Sequence, residues 1–444
     1  MSSKTESLGV MSMEQAVHES EQGSARRKLL RSAVLLAIAG GVSRRVAAEA
    51  AAPSGSSSTR EEPQSVSLPQ YPDDVMRPVN LHEVEDVART KLSLPAYDYV
   101  AAGAADELTM RANRAAFGDY WIRRRVMVDT SNVDTSLDLL GFKLAHPILL
   151  APVAARDLMA HHGDRLTALA AYNSKAVLVG APRELMLELG KKNQAPHWWA
   201  AGLGHATREE AARWSKENED AGASALCVSF DYPYSGARDR PSRDHWESQW
   251  SETGRYDTPG GEVAFQAGMI APFTPNLRWQ YLAWVRDATK LPIVVKGITT
   301  GEDAMRALAA GASAIIVSNH GGRTLDGAFA TLSVLPEVAD AVGGKVPVLM
   351  DGGIRRGGDV VKAVALGAKA ILIGRPYLWG LAAFGQVGVQ RVVELLQGEL
   401  RIALGLSGTG NLRAIDRSMV RAAWKAYTRG LHARHARAPK VVRP

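Results

Sequence analysis

Beyond residue 79 the chain alternates short continuous apolar runs with amphipathic stretches. Leu81, Val84, Val87 and Ala88 recur at helical spacing behind Asn80, a residue suited to capping, and predict a helix. A second helical piece follows Pro95, and a third covers 108–117. Eight apolar runs come next, at 148–152, 176–179, 198–201, 225–230, 293–296, 314–318, 346–350 and 370–373. Continuous rather than alternating hydrophobicity marks strands buried on both faces, hence a parallel sheet. Eight such strands with helices between them predict an α/β fold, a (β/α)₈ TIM barrel behind an N-terminal helical segment. An open doubly wound sheet has weaker support, because no G-x-G-x-x-G opens a helix after the first strand.

An internal repeat fits the barrel. Gly311-Ala312-Ser313-Ala314 recurs as Gly367-Ala368-Lys369-Ala370 and as Gly222-Ala223-Ser224-Ala225, each reading as a helix-capping glycine before a buried strand. Cys227 then lies inside a strand, as an inert small hydrophobe rather than a nucleophile. As the sole cysteine it has no intrachain partner, and no Cys/His cluster has zinc spacing, so no metal is expected. The connection from Asp231 to Pro275, after the fourth strand, is long for a compact domain and reads as a functional lid or a disordered segment.

The ends of the chain differ from this body. Arg26-Arg27 precede an apolar run from Ala33 to Val42, and Ala48-Glu49-Ala50 gives small residues at cleavage spacing. The run is too short for about 30 Å of hydrocarbon, so residues 1–50 read as a twin-arginine signal peptide for export to a periplasm. Residues 51–79, rich in Ser, Pro and Glu, read as a linker, and 80–415 as the barrel. Residues 416–444 read as a basic tail: from 415 onward there are eight Lys/Arg against one acid, which accounts for the whole net charge of +7. Without a basic stripe interleaved with aromatics, nucleic acid is not an expected partner.

A barrel of this kind carries its chemistry at the C-terminal ends of its strands. Those ends hold Asp231, Lys296, Asn319-His320-Gly321-Gly322-Arg323, Asp351-Gly352-Gly353-Ile354-Arg355 and Gly374-Arg375. Singly, each has a structural reading: His320 as a satisfied loop histidine, Lys296 as a surface lysine, Asp351 as a helix cap. Together they place charge at one mouth. The glycines after strands seven and eight, with Arg355 and Arg375, suit a phosphate.

Ser318-Asn319-His320-Gly321-Gly322-Arg323, with Val295-Lys296-Gly297 before it and Asp351-Gly352-Gly353-Ile354-Arg355 after it, resembles the FMN-dependent α-hydroxy acid oxidases and dehydrogenases. The resemblance spans about 80–415 and is densest over 278–410. It implies FMN as cofactor, a 2-hydroxy acid as substrate, oxygen or a diffusible carrier as electron acceptor, and a homotetramer. It further implies that Pro152, Val153, Ala154, Ser229, Ser318 and Lys296 contact the flavin ring and tail. Asp351 and Gly352 fall by the ribityl chain, while Gly353, Arg355, Gly374 and Arg375 fall at the phosphate. His320 is then the base with Asp231 beside it, and Tyr99, Arg238 and Arg323 bind the substrate. Lys296 offsets negative charge gained by the ring on reduction. Proton abstraction and hydride transfer use the same residues.

The chain departs from the family on one wall. Family members carry a glutamine and, two residues on, a tyrosine on strand three, where the alignment puts Ala200 and Gly202. Gly180 stands for a usual Ser or Thr on strand two, and His205 is placed to restore a polar group. A wider, less polar pocket follows, suited to a bulky 2-hydroxy acid. The alternatives are a different α-substituted substrate such as an amine or modified peptide, an isomerase on a similar barrel, or a non-catalytic barrel.

Overall fold

The computed structural model describes residues 71–154, 156–243 and 277–423. The signal peptide, most of the linker and most of the basic tail lie outside these residues, as does the greater part of the long connection after the fourth strand.

Eight parallel strands close a barrel: β1 (Ile148–Leu150), β2 (Val177–Val179), β3 (Trp198–Gly202), β4 (Leu226–Ser229), β5 (Ile293–Ile298), β6 (Ala314–Val317), β7 (Val348–Met350) and β8 (Ala370–Ile373). β8 pairs with β1, completing the ring. Each strand coincides with one of the apolar runs, and β1, β2, β4, β6, β7 and β8 are buried along their length. Burying each Leu, Ile or Val side chain contributes about 1.5–3 kcal/mol, so continuous burial offsets the chain entropy of very short strands. The repeated glycines Gly222, Gly311 and Gly367 take positive φ (83°, 96° and 117°) directly before β4, β6 and β8.

Before the barrel, Asn80 caps the helix Leu81–Lys91 by accepting from the backbone N–H groups of His82 and Glu83. A second helix, Leu94–Ala101, carries its proline in the first turn. The closing helical segment Arg375–Ser407, broken at Phe384–Gly385, packs on Leu81–Lys91 and on Gly163–Ser174.

Composition misplaced two boundaries. Tyr71 donates to Glu394 at 2.6 Å and a short helix covers Asp73–Met76, so the linker ends before the expected residue 79. Val420–Ala422 pairs antiparallel with Tyr120–Ile122, and Arg417 bridges Asp340 at 2.7 Å, so the barrel unit continues past 415. Three-residue strands carry too little alternation to stand out in a basic stretch. The ribbon of Leu137–Leu139 with Phe142–Leu144 went unread for the same reason.

Candidate active site

Register decides which side chains enter the barrel, because paired residues of neighbouring strands point to the same side. Ser229 pairs with Lys296, and both line a cavity of about 660 Å³ at the C-terminal mouth. Ala201 pairs with Cys227, two residues before Ser229, so Ala201 faces inward. Ala200 and Gly202 therefore face the outer helices. A Cβ on Gly202 would lie 3.2 Å from Cζ2 of Trp214, on the helix Arg208–Asp220. The strand-three positions expected at Ala200 and Gly202 are thus corrected by one residue: Ala201 faces inward, and Leu203 just past the strand also lines the cavity. A glycine-alanine run offers no side-chain landmark, which is how sequence matching slips there.

The wall formed by β2 and β3 consists of Gly180, Ala181, Pro182, Ala201, Gly202 and Leu203 and brings no polar side chain to the cavity. His205 does not restore one. Its Nδ1 lies 2.9 Å from the Tyr281 hydroxyl, and its ring lies against Trp214, away from the cavity. Beside this wall, Arg156 is buried, lines the cavity and has little to mark it in the sequence. It donates to Tyr377 Oη at 3.2 Å, to Asp164 at 3.1 Å, to the Val179 carbonyl at 3.1 Å and to the Gly180 carbonyl. Its only sequence signal is a basic residue soon after a buried strand.

The opposite side is densely charged. Lys296, 2% exposed, donates to Ser318 Oγ at 2.8 Å and to Asp231 Oδ2 at 3.3 Å, with Asp351 Oδ2 at 3.6 Å. Burial disfavours its charge, but the carboxylates of Asp231 and Asp351 outweigh that and hold its pKa above the usual lysine value. For Asp231, burial would raise the carboxyl, yet Lys296 and His320 hold it well below the ordinary carboxylate range. His320 Nδ1 lies 3.1 Å from Asp231 Oδ1, and its side chain is 24% exposed, toward the cavity. Burial, then the charge of Lys296, push the imidazole below its usual pKa, against the pull of Asp231. With Nδ1–H donated to Asp231, the neutral ring keeps its lone pair on Nε2. His320 adopts φ 57°, held in that left-handed conformation as its N–H donates to Ser318 Oγ at 3.1 Å.

Four arginines and Tyr99 complete the mouth. Arg323 donates to the carbonyls of Tyr99, Val100 and Ala102 at 2.8–3.2 Å, and Arg375 to those of Val100, Ala102 and Gly321 at 2.9 Å. The C-terminal carbonyls of the helix Leu94–Ala101 thus hold both guanidiniums. Burial and Arg238 lower Arg323 to about 10; burial, Arg323 and Arg355 lower Arg375 to about 9. Guanidinium stays protonated at these values, so the depression expresses how strongly this cluster favours an anion.

Of the expected site residues, Tyr99, Pro152, Val153, Ala154, Ser229, Lys296, His320, Arg323, Asp351, Gly352, Gly353, Arg355, Gly374 and Arg375 line the cavity. Asp231 and Ser318 sit one layer behind, bonded to Lys296. Arg238 also stands back, its guanidinium 5.0 Å from the Tyr99 ring centre. Asn113 escaped sequence reasoning altogether. It exchanges hydrogen bonds with Asn319 at 2.8 and 2.9 Å and accepts from Thr331 N–H, fixing the loop after β6.

These residues fit FMN. The helix beginning at Arg375 points its N-terminus at the cavity, where Arg355 and Arg375 also project, which suits a phosphate monoester. Gly353 has φ 78°, and any Cβ there would fall 2.0 Å from the Asn113 carbonyl oxygen, so its backbone is bare at the cradle. Asp351 Oδ1 is buried with no hydrogen-bond partner among the described residues, an acceptor suited to a ribityl hydroxyl.

Comparison with known proteins agrees. The family described as FMN-dependent dehydrogenase matches residues 88–422. L-lactate oxidase from Nostoc sp. is 41% identical over 360 residues, covering 78% of this chain and 99% of the relative. Glycolate oxidase from Spinacia oleracea is 35% identical over 362 residues, covering 79% and 97%. A crystal structure of mandelate oxidase superposes with TM-score 0.69 at 36% identity, covering 78% of this chain and 98% of that one. Matched by the family over residues 88–422 and by relatives over more than three quarters of its length, this chain is a member of the FMN-dependent dehydrogenase family.

Proposed function

We propose that the protein oxidises a 2-hydroxy acid to the 2-oxo acid, with oxygen or a diffusible carrier as final electron acceptor. The observation that carries this reading is the His320–Asp231 pair, 3.1 Å apart, opening onto the cavity beside Arg323. The named activities of the lactate, glycolate and mandelate relatives support it.

FMN, when bound, supplies the two-electron acceptor. Asp351, Gly352, Gly353, Arg355, Gly374 and Arg375 would hold its tail. Pro152, Val153, Ala154 and Ser229 would line its ring, and Ser318 would act through Lys296 and Asp351. Arg323 would bind the substrate carboxylate, with Arg238 and Tyr99 completing the grip and fixing the α-carbon. His320 Nε2 would take a proton from the substrate, and Asp231 would stabilise the imidazolium that forms. Lys296, kept protonated by two carboxylates, would offset negative charge arising in the cavity.

The apolar β2–β3 wall supports a substrate with a bulky apolar 2-substituent, such as an aryl hydroxy acid. Anaerobic mixing of purified holoprotein with glycolate, lactate and mandelate tests this. Flavin bleaching, fastest with mandelate, is expected; no bleaching with any 2-hydroxy acid overturns it.

The reading includes a homotetramer and export through the twin-arginine route, supported by the family resemblance and by Arg26-Arg27 before the apolar run. Sedimentation velocity checks the first. Undiminished export of Arg26→Lys/Arg27→Lys would overturn the second.

A further inference from the structure

The β2–β3 wall presents no hydroxyl, so any neutral donor to the substrate oxygens must come from elsewhere on the rim. The segment Asp231-Tyr232-Pro233-Tyr234-Ser235 follows β4 and carries two tyrosines with different surroundings. Tyr234 is 50% exposed, whereas Tyr232 lines the cavity. The ring of Tyr232 lies 4.8 Å from the imidazole of His320, tilted by 39°. Its hydroxyl is 3.2 Å from Ser235 Oγ, a contact in which either oxygen can donate and which steadies the phenol. Tyr232 directly follows Asp231, so the backbone that sets the His320 partner also sets this ring.

We propose that Tyr232 is a substrate-positioning residue: its hydroxyl donates to an oxygen of the bound 2-hydroxy acid while its ring covers the His320 imidazole. The proposal rests on the 2-hydroxy acid reading and deepens it. Both phenols influence the charge of Arg323, and the Tyr99 ring centre lies 5.3 Å from its guanidinium. A carboxylate seated on Arg323 would have Tyr99 against the guanidinium, while Tyr232 packs on the imidazole of His320. The second phenol supplies from the β4 loop the neutral donor that Ala201 and Leu203 cannot give. It also closes the space over the base, leaving the apolar wall as the open direction for the 2-substituent.

Oxalate, a planar dicarboxylate that cannot be oxidised at a C–H carbon, serves as the probe. It is titrated into FMN-loaded protein while the flavin absorbance is followed. Tyr232→Phe should bind oxalate roughly tenfold more weakly, the worth of one hydrogen bond, with FMN content unchanged. In turnover with the best 2-hydroxy acid, KM should rise more than kcat falls, because the bond is present before the reaction begins. Ser235→Ala should lose about threefold or less, since it only steadies the phenol. Oxalate affinity of Tyr232→Phe within about twofold of the parent overturns the proposal. An equal loss in Ser235→Ala, or loss of FMN from Tyr232→Phe, also overturns it, because Tyr232 would then merely anchor the loop. Failure of the broader reading is distinct: the parent flavin would not bleach with glycolate, lactate or mandelate, whatever the oxalate affinities.

Discussion

The two halves of the barrel mouth are built on opposite principles. From β4 to β7 the strand ends carry Asp231, Lys296, Ser318, His320 and Asp351, bonded to one another and, apart from the partly exposed His320, almost without exposure. From β2 to β3 the same layer is glycine, alanine, proline and leucine. Buried charges persist only when paired, so the first half is over-determined: any single loss leaves an uncompensated partner. The second half carries no such constraint, and its residues can change without stranding a charge. On the proposed function, reaction machinery would belong to the first half and substrate preference to the second.

The largest effect that tests this division is at His320. His320→Ala should keep FMN, whose proposed cradle is Asp351, Gly353, Arg355 and Arg375, while substrate-driven bleaching slows by about 10²–10⁴-fold. Stopped-flow reduction checks it. A variant as fast as the parent would move the base elsewhere and break the comparison.

The next effect is on pH dependence. Protonating His320 would remove the proposed base, so kcat/KM should fall as pH drops. Burial and Lys296 push the imidazole down, so the midpoint of that fall should lie below the ordinary histidine pKa of about 6.5. Asp231 opposes the downward push, so Asp231→Asn should move the midpoint lower still. Its maximal rate should also fall, by less than in His320→Ala, because the imidazolium loses its partner. A midpoint above the ordinary value would contradict the burial seen for His320.

How much of this was legible beforehand follows the same division. The charged rim was readable because each of its residues sits directly after an apolar run and belongs to a chemically distinctive string, such as Asn319-His320-Gly321-Gly322-Arg323. Asn113 was not, since its partner Asn319 lies 206 residues away and an amide on a short helix has no periodic signal. On the apolar wall, pattern failed by one residue. Trp198-Trp199-Ala200-Ala201-Gly202 is apolar throughout, so period-two alternation cannot tell inner from outer positions; only pairing with β4 does. Tyr232 was passed over because its neighbour Asp231 already accounted for the strand end.

A third prediction probes the wall where the register now places it. Leu203→Tyr should narrow the cavity and shift preference from mandelate toward glycolate by roughly tenfold, the scale on which an apolar pocket discriminates by size. Competing-substrate kinetics measure it. An unchanged ratio would mean that the 2-substituent does not reach β3.

The smallest expected effect is the sharpest check on that register. Gly202 sits one residue from Leu203, yet its Cβ direction leads outward to Trp214. Gly202→Ala should therefore leave the mandelate-to-glycolate ratio and the turnover within about twofold of the parent. Two opposing terms set its stability. Alanine reduces the freedom of the unfolded chain and gains about 0.4–1 kcal/mol. Against this, the new methyl would lie 3.2 Å from the indole of Trp214, and crowding a packed site typically costs about 1–3 kcal/mol. The net should be a modest loss, visible as a slightly lower Tm with unchanged kinetics. The opposite pattern, a changed substrate ratio at unchanged Tm, would turn position 202 into the cavity. Ala200 would turn inward with it, and Ala201 and Leu203 would leave the wall, so one methyl group distinguishes two registers of the whole strand.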